Sequence, residues 1–486
     1  MPNKRLINWT IILRVLSFLL IVEAVFMLTG LPFAWYYNES VFPLLFSSLF
    51  TGIIGLIVLL KIGKNYNKNI GKREGYLIVA LTWIVISFFG TLPFLLAGSI
   101  THLSDAFFET MSGFTTTGAS ILTDIESVPK NILYWRSMTH WIGGMGIIVL
   151  TVAILPFLGI GGMQLMIAEM PGLQPDKLHP RITATAKRFW GIYVLFTVAE
   201  ILLLWAGEMD FFDSVNHSFA TMATGGFSTR NNSVAAFGPY SQYIIILFMI
   251  FAGTNFTLHY YALHRQFNKL WQNQEFMVYL GIILVATLYV SIGLIFFMDS
   301  GIEKSFRDAL FTVVSILTTT GFVTADYYIW PYFIWIVVFA LMFIGGSAGS
   351  TGGGVKIIRH LLLVKNSWLE MKRAIHPQAI IPVKYNHKSV SKEIIFNVMA
   401  FFLIYVLIFA GGVFVLALIG LDFETSIGAT IASLGNIGPG IGGVGPVENY
   451  AFFSPFAKWF LSFLMLLGRL ELFTVLIVLS PAFWRR

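Results

Sequence analysis

Apolar runs of about 20 residues, the length that crosses a hydrocarbon core as a helix, recur from one end of the chain to the other. They fall near residues 11–31, 43–62, 77–98, 138–158, 184–206, 241–264, 276–298, 332–362, 394–419 and 456–480. The pattern predicts ten crossings, an even number that returns both termini to one side. The first run, Ile11 to Gly30, lacks a small-residue cleavage pattern and reads as a retained span. After an initial hairpin, each later pair of spans encloses a shorter, half-apolar segment that ends in threonine and glycine. Such a segment cannot cross, and irregular backbone at membrane depth is tolerated only inside protein or beside a water-filled cavity. Each is therefore expected to re-enter.

These middle segments overlay on one another. Asp105 stands thirteen residues before the glycine of Thr116-Thr117-Gly118, and Asp308 stands at the same offset before that of Thr319-Thr320-Gly321. Asp213 leads likewise to Thr224-Gly225-Gly226, and Thr425 to Asn436-Ile437-Gly438. The four glycines are separated by 108, 95 and 117 residues (226 − 118, 321 − 226 and 438 − 321). Repetition at that period predicts four copies of one unit. The expected fold is an all-α integral membrane protein with four pseudo-symmetric helix, pore loop, helix repeats around one central pore, preceded by a two-helix hairpin. The expected divisions are 1–75 for the hairpin, then 76–175, 176–270, 271–385 and 386–486 for the repeats.

The residues of the middle segments suit a cation. Asp105, Asp213, Asp308 and Thr425 are expected to cap short helices whose carboxyl ends carry partial negative charge toward the axis. The following residues would run extended with carbonyls inward, where glycine permits backbone angles that a side chain forbids. A ring of such carbonyls replaces an ion's hydration shell. One Thr-Thr-Gly is an ordinary turn; four copies, each after a half-helix and between two spans, are not. Two further features stand out. The span at 332–362 is interrupted by Gly345-Gly346-Ser347-Ala348-Gly349-Ser350-Thr351-Gly352-Gly353-Gly354, too dense a glycine run for a helix at about 1 kcal/mol each, so a loop inside the membrane is expected. Arg469 stands in the middle of the last span, where an arginine must face water or find carbonyl or carboxylate partners.

Composition agrees with the pattern: 57% of the 486 residues are hydrophobic and 11% charged, with a mean hydropathy of +0.78. The net charge of +7 does not point to nucleic acid, because the basic residues cluster in alternate connections such as Lys61 to Arg73 and Val355 to Lys392. By the positive-inside rule both termini are expected in the cytoplasm. The absence of cysteine excludes disulfides and thiolate metal sites. No nucleophile elbow or phosphate-binding lysine loop is present, so an enzyme is not expected. Glu23 and Glu200 lie inside apolar spans, where a protonated carboxyl bonded to a neighbouring helix and a place on an ion path are equally open readings. His140, His217 and His259 share no metal-ligand spacing, and Trp271, Trp330, Trp459 and Trp484 are expected as interfacial anchors.

On these loops, on the broken third-repeat span and on Arg469, the chain resembles the Trk/Ktr/HKT potassium transporter superfamily, specifically its TrkH-type pore subunits, which also carry an extra amino-terminal hairpin. The resemblance implies that the four glycines and the two residues before each form a potassium-binding selectivity filter. The fourth copy departs from the others through Asn436-Ile437, which makes the ring chemically uneven. It further implies that residues 345–354 gate the pore beneath the filter, with Arg469 at the constriction. Implied with them are K+ as transported ion without an organic cofactor, a homodimer in a bacterial inner membrane, and a cytosolic nucleotide-binding subunit of the TrkA type, for which Val355–Lys392 is the candidate surface. The expected activity is gated potassium uptake; a sodium- or proton-coupled secondary carrier is the alternative.

Overall fold

A computed structural model describes residues 7–63, 71–146, 182–298 and 301–485. Among them, six helical stretches are long and apolar enough to cross a membrane: Trp9–Tyr36, Phe42–Ile62, Lys72–Leu96, Ala186–Trp205, Gln274–Phe297 and Lys392–Leu418. Side-chain caps start several of them, as Asn8, Asn273 and Ser391 accept from amides in the first turn. Large apolar residues such as Leu202, Val285, Ile292, Leu407 and Phe414 stay exposed on their outer faces, as the lipid-facing surface of a membrane protein requires. The expected span 138–158 is described only to residue 146, and Lys4, Arg5, Lys64, Lys68, Lys177, Arg181 and Arg486 lie outside the described residues.

The amino-terminal hairpin closes on small residues. A side chain at Gly55 would lie 2.8 Å from the Ser17 carbonyl, Gly52 sits against Ala24, and Ser48 Oγ donates to the Ala24 carbonyl at 2.7 Å. The connection after the first helix reaches the repeats through Glu39, whose two oxygens accept from the Lys130 and Asn131 amides at 2.7 and 2.9 Å. A carboxylate thus satisfies the orphan donors at the start of the helix Lys130–Trp141.

The second helix of the second and fourth repeats departs from the unbroken span expected, whereas the break expected in the third is present. In the second repeat, Pro239–Ala252 and Phe256–Leu263 meet at 104°, and in the fourth Pro455–Arg469 and Phe473–Leu479 meet at 119°. The third is interrupted between Tyr332–Leu341 and Ile357–Ile375, over the predicted glycine run. The first passes from Lys130–Trp141 into a π-helical turn at Ile142–Gly146. The breaks persist because the freed backbone groups find partners within the protein. Asn255 caps the restart at Thr257, the Ser347 amide donates to the Gly253 carbonyl at 2.9 Å, and the Phe256 amide donates to the Gly349 carbonyl at 3.0 Å. At the fourth break Glu471 and Leu472 take left-handed φ of 55° and 56°.

The four half-helices are Leu103–Phe114, Phe211–Ala223, Ile302–Leu317 and Phe423–Gly435, each almost wholly buried near its carboxyl end. Their caps are not the residues expected. Asp210 and Asp422 cap the second and fourth, accepting from the Asp213 and Thr425 amides at 2.6 and 2.9 Å, while His102 and Gly301 start the others without a side-chain bond. Asp105 and Asp213 instead lie in the first turn, and their carboxylates pair with Lys458 and Arg230. Trp330 is buried, whereas Trp271, Trp459 and Trp484 are exposed. A two-residue antiparallel hairpin, Lys384–Tyr385 against Lys388–Ser389, is the single departure from helix and loop among the described residues.

Candidate permeation site

Each half-helix ends in the same backbone sequence of angles. Thr116, Thr224, Thr319 and Asn436 are left-handed, with φ of 53°, 57°, 60° and 53°, and two residues later Gly118, Gly226, Gly321 and Gly438 have φ of 81°, 80°, 80° and 97°. Between them the amides of Thr117, Gly225, Thr320 and Ile437 donate to carbonyls five residues back in their own half-helix, at 2.8 to 2.9 Å. With these donors committed to the helix, the loop carbonyls are left as acceptors for whatever the loops enclose.

The loops enclose one another in order. A Cβ on Gly118 would lie 2.1 Å from the Gly225 carbonyl oxygen; one on Gly226 would lie 2.1 Å from that of Thr320. The same holds for Gly321 against Ile437 at 1.9 Å, and for Gly438 against Thr117 at 2.7 Å, which closes the circle. Each glycine is therefore required twice, by its positive φ and by the carbonyl of the next loop. The twelve predicted filter residues are gathered at one place, and the threonines, Asn436 and Ile437 among them are fully buried. The closing joint carries extra bonds: Asn436 Nδ2 donates to Thr117 Oγ1 at 3.0 Å and to the Met465 carbonyl at 2.9 Å, and the Tyr450 amide donates to the Ser120 carbonyl at 2.8 Å.

The glycine run at 345–354 lies against the half-helix end of this ring. The Gly353 amide donates to Thr319 Oγ1 at 2.7 Å, and a Cβ on Gly353 would meet Asn436 at 2.8 Å. Thr351 returns to the Ala252 carbonyl, and Gly345 pairs with Val355 across the neck of the loop. Arg469 is 9% exposed and spans three repeats: Nη1 donates to the Thr351 carbonyl at 2.8 Å, and Nη2 to the Gly143 and Gly144 carbonyls at 2.5 and 2.7 Å. Glu471, two residues on, faces elsewhere and pairs with Arg359, which also lies 3.9 Å over the Phe401 ring.

Several residues of this site carry no sequence motif. Glu275, at the start of the span Gln274–Phe297, accepts from the Ala348 amide at 2.7 Å and the Ile358 amide at 3.2 Å, holding both sides of the glycine loop. Lys356 Nζ donates to the Gly352 carbonyl. Glu109 and Arg136 form a buried pair at 2.7 Å behind the first two loops. A glutamate inside a half-helix is the one signal that could have drawn notice to the last pair. Of the three histidines, His140 packs on the ring, stacked 3.9 Å from Phe227 and touching Gly225, and His217 bonds Ser228 Oγ at 2.9 Å.

Known proteins share this architecture. The family model for TrkH, described as a cation transport protein, matches residues 47–486. The Trk system potassium uptake protein TrkH of Escherichia coli (strain K12) is 44% identical over 418 residues, covering 85% of this chain and 86% of its own. That of Halomonas elongata is 40% identical over 495 residues, covering 98% and 99%. The crystal structure of the potassium transporter TrkH from Vibrio parahaemolyticus superposes with a TM-score of 0.88 at 36% identity, covering 99% of this chain and all of that one.

Proposed function

The chain belongs to the TrkH family of cation transport proteins, and we propose on that premise that it carries potassium across the bacterial inner membrane through the ring of four loops. The observation that carries this reading is the circular contact of each loop glycine with the next loop's carbonyl. Four half-helix carboxyl ends aim partial negative charge at the enclosed axis, and carbonyls of residues 117, 225, 320 and 437 stand where a dehydrated ion needs oxygen. Potassium is the cargo; the filter set is Thr116, Thr117, Gly118, Thr224, Gly225, Gly226, Thr319, Thr320, Gly321, Asn436, Ile437 and Gly438. No group for chemical catalysis is involved. The membrane potential supplies the drive, about 2.3 kcal/mol per charge for each 100 mV.

The loop 345–354 acts as the gate, with Arg469 as its lock. The arginine fastens Thr351 of the loop to Gly143 and Gly144 of the first repeat, so release of those carbonyls frees the loop to move. Its charge close to the axis also opposes cation entry while the loop is in place. Opening is driven from the cytoplasmic side, where the helix Ile357–Ile375 continues directly from the loop with Lys365, Lys372 and Arg373. That basic segment, to Lys392, is the surface assigned to a nucleotide-binding subunit of the TrkA type. A homodimer with one pore per subunit and cytoplasmic termini completes the assignment. The coupled-carrier alternative expects inverted repeats, whereas four loops that follow one another in a single rotational sense favour a channel.

Rubidium flux into liposomes containing the purified protein, with sodium in competition, tests the proposal. Gly118→Ser should lower the preference for rubidium over sodium. Unaltered preference in a folded Gly118→Ser protein would contradict the filter assignment.

A further inference from the structure

The ring is buttressed unequally. Nine residues before the four loop glycines stand, in register, Glu109, His217, Thr312 and Ala429. Glu109 is fully enclosed: Oε1 accepts from Arg136 Nε at 2.7 Å and from Ser120 Oγ at 2.9 Å, and Oε2 accepts from the Ile121 amide at 2.8 Å. Arg136, 2% exposed, extends Nη1 to the Ser228 carbonyl at 3.0 Å and lays its guanidinium 3.5 Å over the ring of Phe227, the residue after Gly226. One ion pair thus joins the strand that follows Gly118 to the strand that follows Gly226. His217 adds its bond to Ser228 Oγ. In the other half of the ring Thr312 and Ala429 bring no charge, and the strand after Gly438 is held by neutral phenols, Tyr450 Oη on the Gly438 carbonyl and Tyr327 Oη on the Gly440 carbonyl, each at 2.8 Å.

We propose that Glu109 and Arg136 are positioning residues that set the filter's discrimination between potassium and sodium, by fixing the first loop against the second. The inference rests on the ring being the filter. Its physical basis is the contact between Gly118 and the Gly225 carbonyl, which leaves no slack between these two loops. Any drift of either strand changes the carbonyl cage at that joint, and a cage free to contract accepts sodium. The restraint is strong because every bond in it is charge-assisted. Removal of one partner leaves the other buried without its counter-charge. Loss of the pair is expected to erode selectivity while the conduction path stays open.

The test uses the full-length protein in liposomes, with rubidium uptake measured against sodium competition for Glu109→Gln, Arg136→Lys, Thr312→Ala and Gly118→Ser. Arg136→Lys keeps the charge opposite Glu109 but loses the fork that reaches Ser228 and Phe227, so it remains informative should Glu109→Gln fail to fold. Expected are a fall in rubidium preference of about tenfold in Glu109→Gln with flux retained, a smaller fall in Arg136→Lys, and no change in Thr312→Ala. Preference unchanged within about twofold in Glu109→Gln or Arg136→Lys, while Gly118→Ser loses it, would overturn the inference and leave the filter reading standing. Preference unchanged in Gly118→Ser as well would remove the filter reading, and this inference with it.

Discussion

At the scale of single residues, glycine does two jobs in each loop that no other residue can combine. Gly226 has a φ of 80°, and a Cβ there would fall 2.1 Å from the Thr320 carbonyl oxygen. An L-residue in the left-handed region costs about 1–2 kcal/mol, and the displaced carbonyl belongs to the ring itself. Gly226→Ala is therefore expected to reduce rubidium flux and its preference over sodium together, read in the same liposome assay. Arg469 makes the opposite prediction. Its guanidinium binds the loop and the first repeat through three carbonyls, so Arg469→Ala should raise basal flux, and Arg469→Lys, which cannot span all three, should raise it less.

At the scale of elements, the broken helices matter as much as the loops. The glycine run at 345–354 was legible in the sequence because ten small residues in a row defeat a helix. The bends after Ala252 and Arg469 were not, because one glycine such as Gly253 or Gly468 inside an apolar run is tolerated in a span, and the partners that satisfy the opened backbone come from distant segments. The half-helices were legible from their common offset, yet their caps were misread: the acids at that offset lie within the helices, and Asp210 and Asp422, three residues earlier, do the capping. Glu109 and Arg136 are 27 positions apart in different helices, and no periodicity links them. Glu275 was hidden for the same reason, being a first-turn acid that resembles any other helix start. Its carboxylate holds the Ala348 and Ile358 amides, and leaving buried donors unpaired costs about 1–3 kcal/mol each. Glu275→Ala is thus expected to loosen the loop and raise basal flux several-fold, with rubidium preference unchanged because the Glu275 carboxylate bonds the loop rather than the ring of the four glycines.

At the scale of the whole molecule, the ring must be closed between the last repeat and the first, which no short connection joins. Lys458 of the fourth repeat reaches Asp105 of the first half-helix at 2.9 Å, and Asn436 reaches Thr117. These bonds close the ring within one chain, so a single chain should conduct by itself. Transport through such a pore follows the electrochemical gradient of the ion alone. Rubidium uptake should track an imposed membrane potential and be indifferent to sodium or proton gradients of either direction. A dependence of net uptake on either gradient would favour the coupled carrier.

The most direct measurement is the anomalous scattering of rubidium bound to the crystallised protein. Density should fall on the axis, enclosed by the carbonyl oxygens of Thr117, Gly225, Thr320 and Ile437. Absence of any axial peak at saturating rubidium, or a peak held elsewhere among the helices, would contradict the account.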